Sequence, residues 1–374
     1  MFTEKKEDIM DKKLRVGILG GTGMVGQRFI SLLEAHPWFE VAAIAASPRS
    51  AGKKYSDAVG GRWKMDTPMP VSVKNMIVKD VSDVESVASE VDFVFSAVDM
   101  SKDEIKKIEE EYAKAETPVV SNNSAHRWTP DVPMVVPELN PEHLEIISAQ
   151  RERLGTKRGF IAVKPNCSIQ SYTPALHALK LAGFEPKTVV ATTYQAISGA
   201  GKTFKEWPEM EGNIIPFIGG EEEKSEQEPL RIWGHIENGE IVKASSPVIT
   251  TQCIRVPVLD GHTAAVFVNF EEGKKPSKEQ IIKVWREFKG VPQELNLPNA
   301  PKNFIQYLEE DNRPQVSLDV NYENGFGISL GRLREDTVFD YKFVGLSHNT
   351  IRGAAGGGVL TAELLVAKDY ITAK

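Results

Sequence analysis

The sequence predicts an α/β protein of two domains, a doubly wound parallel sheet followed by an α+β region with a mainly antiparallel sheet. Three observations carry this expectation. Short apolar runs alternate with helix-like segments through the first half of the chain, as in a parallel sheet wound by crossover helices. From Thr188 to Leu346 the β-branched runs come in quick succession, which reads as a sheet paired largely with its own neighbours and covered by helices. The length, 374 residues, leaves room for two cores.

In the first half, Leu14-Arg15-Val16-Gly17-Ile18-Leu19 reads as a strand. It runs into Gly20-Gly21-Thr22-Gly23-Met24-Val25-Gly26, and an amphipathic segment from Gln27 to Ala35 follows. Strand, glycine turn and helix in that order make Gly20, Gly23 and Gly26 a relative of the dinucleotide fingerprint. Its glycines allow a tight turn and a close backbone approach to a pyrophosphate. A second strand, Val41 to Ala46, comes at the spacing of a βαβ unit, and runs at Asp92 to Ala97, Pro118 to Ser121 and Phe160 to Val163 continue the alternation. The expectation is a Rossmann-type domain over 13–165, with Gly20, Thr22, Gly23, Met24, Val25 and Gly26 as cofactor contacts.

The second strand ends in Ser47-Pro48-Arg49-Ser50. A carboxylate there would bind a ribose hydroxyl and repel a 2′-phosphate. Two hydroxyls and a guanidinium suit a phosphorylated ribose, so NADP is expected rather than NAD. The competing reading of Arg49 is an ordinary solvated loop charge.

Composition removes other classes. The net charge of -7 and the scattered Lys and Arg give no basic stripe for nucleic acid. No run approaches the roughly 20 apolar residues of a membrane span. The charged start, Met1 to Lys13, lacks the apolar core of a secretion signal and reads as a frayed tail over 1–12, with Met10 a possible second start. Only two cysteines occur, Cys167 and Cys253, without disulfide or metal spacing, so no metal is expected and a reducing, cytoplasmic compartment is.

The chemistry sits in the second half. Cys167, in Val163-Lys164-Pro165-Asn166-Cys167-Ser168, follows an apolar run and a Pro-Asn turn and precedes a helical composition over Ser168 to Ala182. A cysteine at a helix N-terminus has a stabilised thiolate, the attacking form; the alternative is an inert core thiol. Thr188 to Gln195 reads as a strand delivering Gln195 to the glycine loop Ala196-Ile197-Ser198-Gly199-Ala200-Gly201. Val248 to Val256 and His262 to Phe270 read as a hairpin that brings Arg255 beside His262. Glu221-Glu222-Glu223 reads by default as a solvated loop. Ser277 opens a capped helix to about Lys289. Val316 to Asn321, Gly327 to Leu333 and Thr337 to Leu346 read as further strands. The glycine-rich stretch from Asn349 to Gly358 precedes a last helix, and the domains expected are 13–165 with 349–374, and 166–348.

These motifs together resemble the aspartate-semialdehyde dehydrogenase family, of the branch typical of archaea and fungi and also found in bacteria. The match runs from the glycine turn through Pro165-Asn166-Cys167-Ser168, Gln195 with Ser198-Gly199-Ala200-Gly201, and Arg255 with His262, to Asn349 and Arg352-Gly353-Ala354-Ala355-Gly356. The resemblance implies a glyceraldehyde-3-phosphate dehydrogenase-like architecture and NADPH-dependent reductive dephosphorylation of 4-phospho-L-aspartate, in lysine, threonine, methionine and isoleucine biosynthesis. It implies Cys167 as nucleophile, His262 as general acid/base and Gln195 as the residue orienting the acyl intermediate. Arg255 and Glu221 would hold the substrate's carboxylate and amino groups, and Arg127, Asn166 and Lys224 the phosphate. Ser198, Gly199 and Asn349 would join the cofactor contacts, Asn349 at the nicotinamide carboxamide. A homodimer or homotetramer is implied.

Two rival functions share the scaffold. A malonyl-CoA or succinyl-CoA reductase would keep the cysteine and histidine, but gives no reason for Asn166 and Glu221. A non-catalytic NADP-binding redox sensor would keep Cys167 and gives no reason for Arg255 and His262. N-acetyl-glutamyl-phosphate reductase fits the surroundings of Cys167 and His262 less well.

Overall fold

The structure, a computed structural model, describes residues 12–374. The expected tail therefore lies outside the described residues except for Lys12.

Six parallel strands form the first sheet: β1 (Leu14–Leu19), β2 (Phe39–Ala46), β3 (Lys79–Asp80), β4 (Phe93–Ser96), β5 (Val119–Ser121) and β6 (Ile161–Val163). Their order is β3-β2-β1-β4-β5-β6. Strands buried on both faces read as continuous apolar runs, as β1 and β4 do here. The two-residue β3 was not legible, since Lys79–Asp80 carries no apolar signal. Helix Met24–Leu33 follows β1 directly and starts three residues earlier than the sequence suggested.

The second sheet contains β7 (Pro186–Gln195), β10 (Val248–Arg255), β11 (His262–Phe270), β12 (Ile305–Leu308), β13 (Ile328–Glu335) and β14 (Tyr341–Ser347). A separate two-stranded ribbon pairs β8 (His235–Glu237) with β9 (Glu240–Val242). The larger sheet runs β10-β7-β11-β14-β13-β12, antiparallel at its centre and parallel at both edges.

Two expectations need correction. β10 and β11 are not a hairpin, because β7 lies between them, parallel to β10 and antiparallel to β11. The segment expected as a strand from Val316 forms a short helix, Val316–Asp319. There the Asp319 carboxylate accepts from Gln315 N–H at 2.7 Å and Arg313 Nε at 2.8 Å, closing a turn locally where a strand would need a ladder. Strand β12 went unread.

Ser277 caps helix Lys278–Glu287 with a full capping box. The last helix, Ala355–Ala367, is buried from Ala355 through Val366, so it behaves as a core rod with no polar face. It packs on the first domain: Gly358 faces Phe29, and Glu363 accepts from His36 Nε2–H at 2.8 Å, the ring's Nδ1 accepting from Trp38 and Phe39 N–H. Among the described residues no helix is long and apolar enough to cross a membrane.

Candidate active site

The C-terminal end of β6 delivers Lys164-Pro165-Asn166-Cys167, and the ends of β7 and β10 deliver Gln195 and Arg255, which are register partners. β11 begins with His262 beside them. The lost hairpin therefore costs the site nothing: β7, inserted between, gathers all three side chains.

Cys167 Sγ lies 3.4 Å from His262 Nε2. On the far side of the ring the backbone N–H of Ala196 donates to Nδ1 at 3.1 Å. A ring that accepts at Nδ1 carries its neutral-state proton on Nε2, so the imidazole presents an N–H to the sulfur. Burial, helped by nearby Arg255, pushes the His262 pKa down to about 3, and the ring stays neutral at physiological pH.

The thiol corrects one expectation. A 3-10 turn of four residues, Ser168–Ser171, follows Cys167, and the α-helix proper begins only at Thr173 with Pro174 in its first turn. The helix that follows Cys167 therefore does not present its N-terminus at the sulfur. Burial first, and Glu221 second, push the thiol pKa up, against Lys164, Arg127 and Arg255. Cys167 nonetheless keeps part of its surface, so a small carbonyl compound can reach it. The C-terminal loop closes behind it: a Cβ on Gly353 would stand 2.7 Å from Cys167 Cβ and 2.5 Å from Asn349 O, a gap only glycine fits.

Of the three consecutive glutamates, Glu221 is buried, Glu222 half-buried and Glu223 exposed. They form the first turn of helix Glu221–Ile232, where the sequence suggested a loop, and acids are favoured at that end of a helix. Both Glu221 oxygens accept from Asn166 Nδ2 at 2.9 Å. Gln195 Nε2 donates to Glu221 at 3.3 Å and Lys224 Nζ at 2.8 Å. Burial opposes its charge, but Lys224 and these donors outweigh it and hold Glu221 below the usual carboxylate range. Arg255 is buried with Nη1 on Ala196 O at 2.6 Å. Arg127 sits under the Cys167 turn, donating from Nε to Lys164 O at 3.1 Å.

The glycine turn fits a dinucleotide. A Cβ on Gly26 would fall 2.4 Å from Gly20 O, so helix and turn touch backbone to backbone. Gly23 caps the helix without a side-chain bond, and the first turn carries no acid, which leaves its N–H groups and positive dipole end for a phosphate. Ser47 and Ser50 are half-buried and Arg49 exposed at the end of β2. Ser198 Oγ donates to Asp260 at 2.7 Å and accepts from Asn349 Nδ2 at 2.8 Å, while Asn349 Oδ1 accepts from Gly261 N–H at 2.7 Å. These bonds tie Ser198 and Asn349 into one brace and leave Asn349 a single N–H for a ligand. Gly199 is exposed, and a Cβ there would meet Arg255 Nη1 at 3.0 Å and His262 Cε1 at 3.2 Å.

The chain matches the family models described as semialdehyde dehydrogenase, NAD binding domain, over residues 15–147, and semialdehyde dehydrogenase, dimerisation domain, over residues 176–352. It is 42% identical to aspartate-semialdehyde dehydrogenase of Methanothermobacter thermautotrophicus, covering 94% of this chain and 99% of that one. Identity to the Saccharomyces cerevisiae enzyme of that name is 43%, covering 97% of this chain and 100% of that protein. The chain belongs to the aspartate-semialdehyde dehydrogenase family. The crystal structure of the Candida albicans family member with NADP superposes with a TM-score of 0.87 at 40% identity, over 96% of this chain and all of that one.

Within this family member, two buried groups, Glu228 and Lys164, and the half-buried Asp260 escaped the sequence reading. Glu228 accepts from Arg127 Nη1 at 2.9 Å and from Asn166 N–H at 2.5 Å. Its signal was the seven-residue spacing from Glu221, two helical turns along one face. Lys164 is enclosed, its ammonium on Pro165 O, and burial pulls its pKa down to about 7. Asp260 braces Ser198. Nothing in the local sequence marks the last two. Among the described residues no group of three His, Cys, Asp or Glu could hold a metal.

Proposed function

We propose that the chain performs the reaction of its family, NADPH-dependent reductive dephosphorylation of 4-phospho-L-aspartate to L-aspartate 4-semialdehyde, within biosynthesis of the aspartate-derived amino acids. The observation that carries the reading is the 3.4 Å approach of Cys167 Sγ to His262 Nε2, with Gln195, Glu221 and Arg255 on the adjoining strand and helix ends.

Cys167 Sγ attacks the acyl carbon, its thiol proton passes to the departing phosphate oxygen as the C–O bond breaks, and a thioester remains. Bound NADPH supplies the hydride that reduces this thioester. His262 Nε2–H donates to the oxyanion of the tetrahedral carbon; the C–S bond then breaks and returns the thiolate. Gln195 orients the acyl group. Arg255 takes the α-carboxylate through its fork and Glu221 the α-ammonium. Arg127, Asn166 and Lys224 bind the phosphate. Gly20, Thr22, Gly23, Met24, Val25 and Gly26 hold the pyrophosphate of the cofactor, Ser47, Arg49 and Ser50 its 2′-phosphate, and Ser198, Gly199 and Asn349 border its nicotinamide. An amino-acid substrate accounts for the buried Glu221 beside the thiol, which an acyl-CoA would not use.

The assembly we propose is a homodimer or a dimer of dimers built on the second sheet, where Tyr194 and Val248 are exposed apolar side chains on β7 and β10, and the compartment is cytoplasmic. The deciding assay is phosphate-dependent reduction of NADP by L-aspartate 4-semialdehyde, paired with NADPH oxidation by malonyl-CoA. Turnover with the first pair is expected. Faster turnover of malonyl-CoA sinks the assignment, and bound cofactor without turnover on either points to a sensor.

A further inference from the structure

Glu228 is fully buried, seven residues after Glu221 on the same helix. The two carboxylates share one target. Glu221 grips the side chain of Asn166, and Glu228 accepts from its backbone N–H at 2.5 Å. The helix is set for this by an internal proline: Pro229 has no N–H for Ser225 O, and Tyr172 Oη donates there instead at 2.6 Å.

A buried carboxylate needs a buried cation. Arg127 supplies it, with Nη1 on Glu228 at 2.9 Å, Nε on Lys164 O at 3.1 Å and Nη2 on Asn122 O at 3.4 Å. A guanidinium has five N–H donors. Three are thus spent inside the protein, and two remain for an incoming oxyanion.

We propose that Glu228 is the positioning residue of the phosphate subsite: it fixes the guanidinium of Arg127 with its free N–H pair facing a phosphoryl group, and with its other oxygen it sets the peptide that carries Cys167. This rests on the reading that Arg127 binds phosphate. Fixing Arg127 in advance spares the enzyme the ordering cost of a long side chain at the moment the anion binds.

The test separates two half-reactions in the oxidative direction. Without phosphate, the semialdehyde adds to Cys167, its C–H hydride passes to NADP, and a burst of NADPH marks the thioester. Phosphate then attacks the thioester carbon and Sγ leaves as thiolate. Glu228→Gln keeps one oxygen for the Asn166 N–H but loses the charge facing Arg127, so it is expected to leave the burst amplitude within about twofold of wild type and to raise the KM for inorganic phosphate roughly tenfold or more. Arg127→Ala should raise that KM as well, and adding Glu228→Gln to it should change little further. Glu228→Asp, which keeps the charge, should fall between Glu228→Gln and wild type and covers the case in which the neutral variant fails to fold. Equal loss of burst and phosphate step, or additive effects in the double variant, would overturn the proposal by making Glu228 a support for the thiol loop alone. A wild-type enzyme indifferent to phosphate would remove the reading of Arg127 itself, a separate failure visible before any variant is made.

Discussion

The cofactor cradle is seven consecutive residues, Gly20 to Gly26, and what it offers a ligand is almost all backbone. The thiol site is drawn from five separate segments, at Arg127, Cys167, Gln195, Glu221 and Arg255 to His262, and what it offers is side chains. The cradle follows the carboxyl end of β1, and Cys167, Gln195 and Arg255 follow or close β6, β7 and β10 at the same kind of end. The difference teaches which kind of damage each tolerates. A backbone cradle is indifferent to most side chains but cannot accept a Cβ at a contact point. A side-chain cluster can bear neither the loss of one functional group nor its displacement by about 1 Å.

The largest effect should separate the two regions completely. Cys167→Ser is expected to cut turnover by roughly 10⁴-fold or more, because an alcohol is hardly ionised at neutral pH, and to leave NADP affinity unchanged. Steady-state rates with a cofactor titration by fluorescence check this. A coupled loss of NADP affinity would mean the regions are not independent.

His262→Ala is expected to lower kcat by roughly 10²–10³-fold, the span of a lost hydrogen-bond donor to an oxyanion. The pH dependence sharpens the reading. Burial raises the Cys167 thiol, so alkylation of free enzyme by iodoacetamide should climb with pH and bend above the value of an ordinary cysteine. With the His262 pKa pushed down to about 3, the ring keeps one charge state from pH 5 to 9 and adds no lower step to that profile. Glu221→Gln removes the second cause of the raised thiol and should move the bend to lower pH.

Gly26→Ala makes the converse cut. Its Cβ would stand 2.4 Å from Gly20 O and 2.7 Å from Gly21 Cα, so helix and turn must part. NADPH affinity should fall on the order of tenfold or more, while the rate of Cys167 alkylation stays at the wild-type value. A fall in alkylation would show that the cradle also sets the thiol.

The same contrast explains what the sequence made legible. Gly20 to Gly26 could be read because spacing within one segment is the whole motif. Cys167, Gln195, Arg255 and His262 could each be singled out, yet how they meet could not: the expected hairpin placed Arg255 and His262 by direct pairing, and the structure places them through β7. Glu228 and Lys164 escaped because burial made them informative, and burial is a property of the fold. The stretch after Cys167 misled in another way. Its composition favours helix throughout, but the break at Tyr172 leaves only a 3-10 turn beside the thiol, and the thiolate loses the dipole the sequence promised it.

Arg49→Ala should give the smallest effect and bears on the one part of the cofactor site built from side chains. Arg49 is exposed at the end of β2, flanked by Ser47 and Ser50, and 47–54 contains no carboxylate. An exposed ion pair contributes at most about 1 kcal/mol, so the KM for NADP should rise roughly fivefold. The KM for NAD, which lacks the 2′-phosphate, should not move, and raising ionic strength should erase much of the difference through screening. Equal rises for both cofactors would place Arg49 on the shared part of the dinucleotide and leave the preference for NADP to Ser47, Ser50 and the absence of an acid.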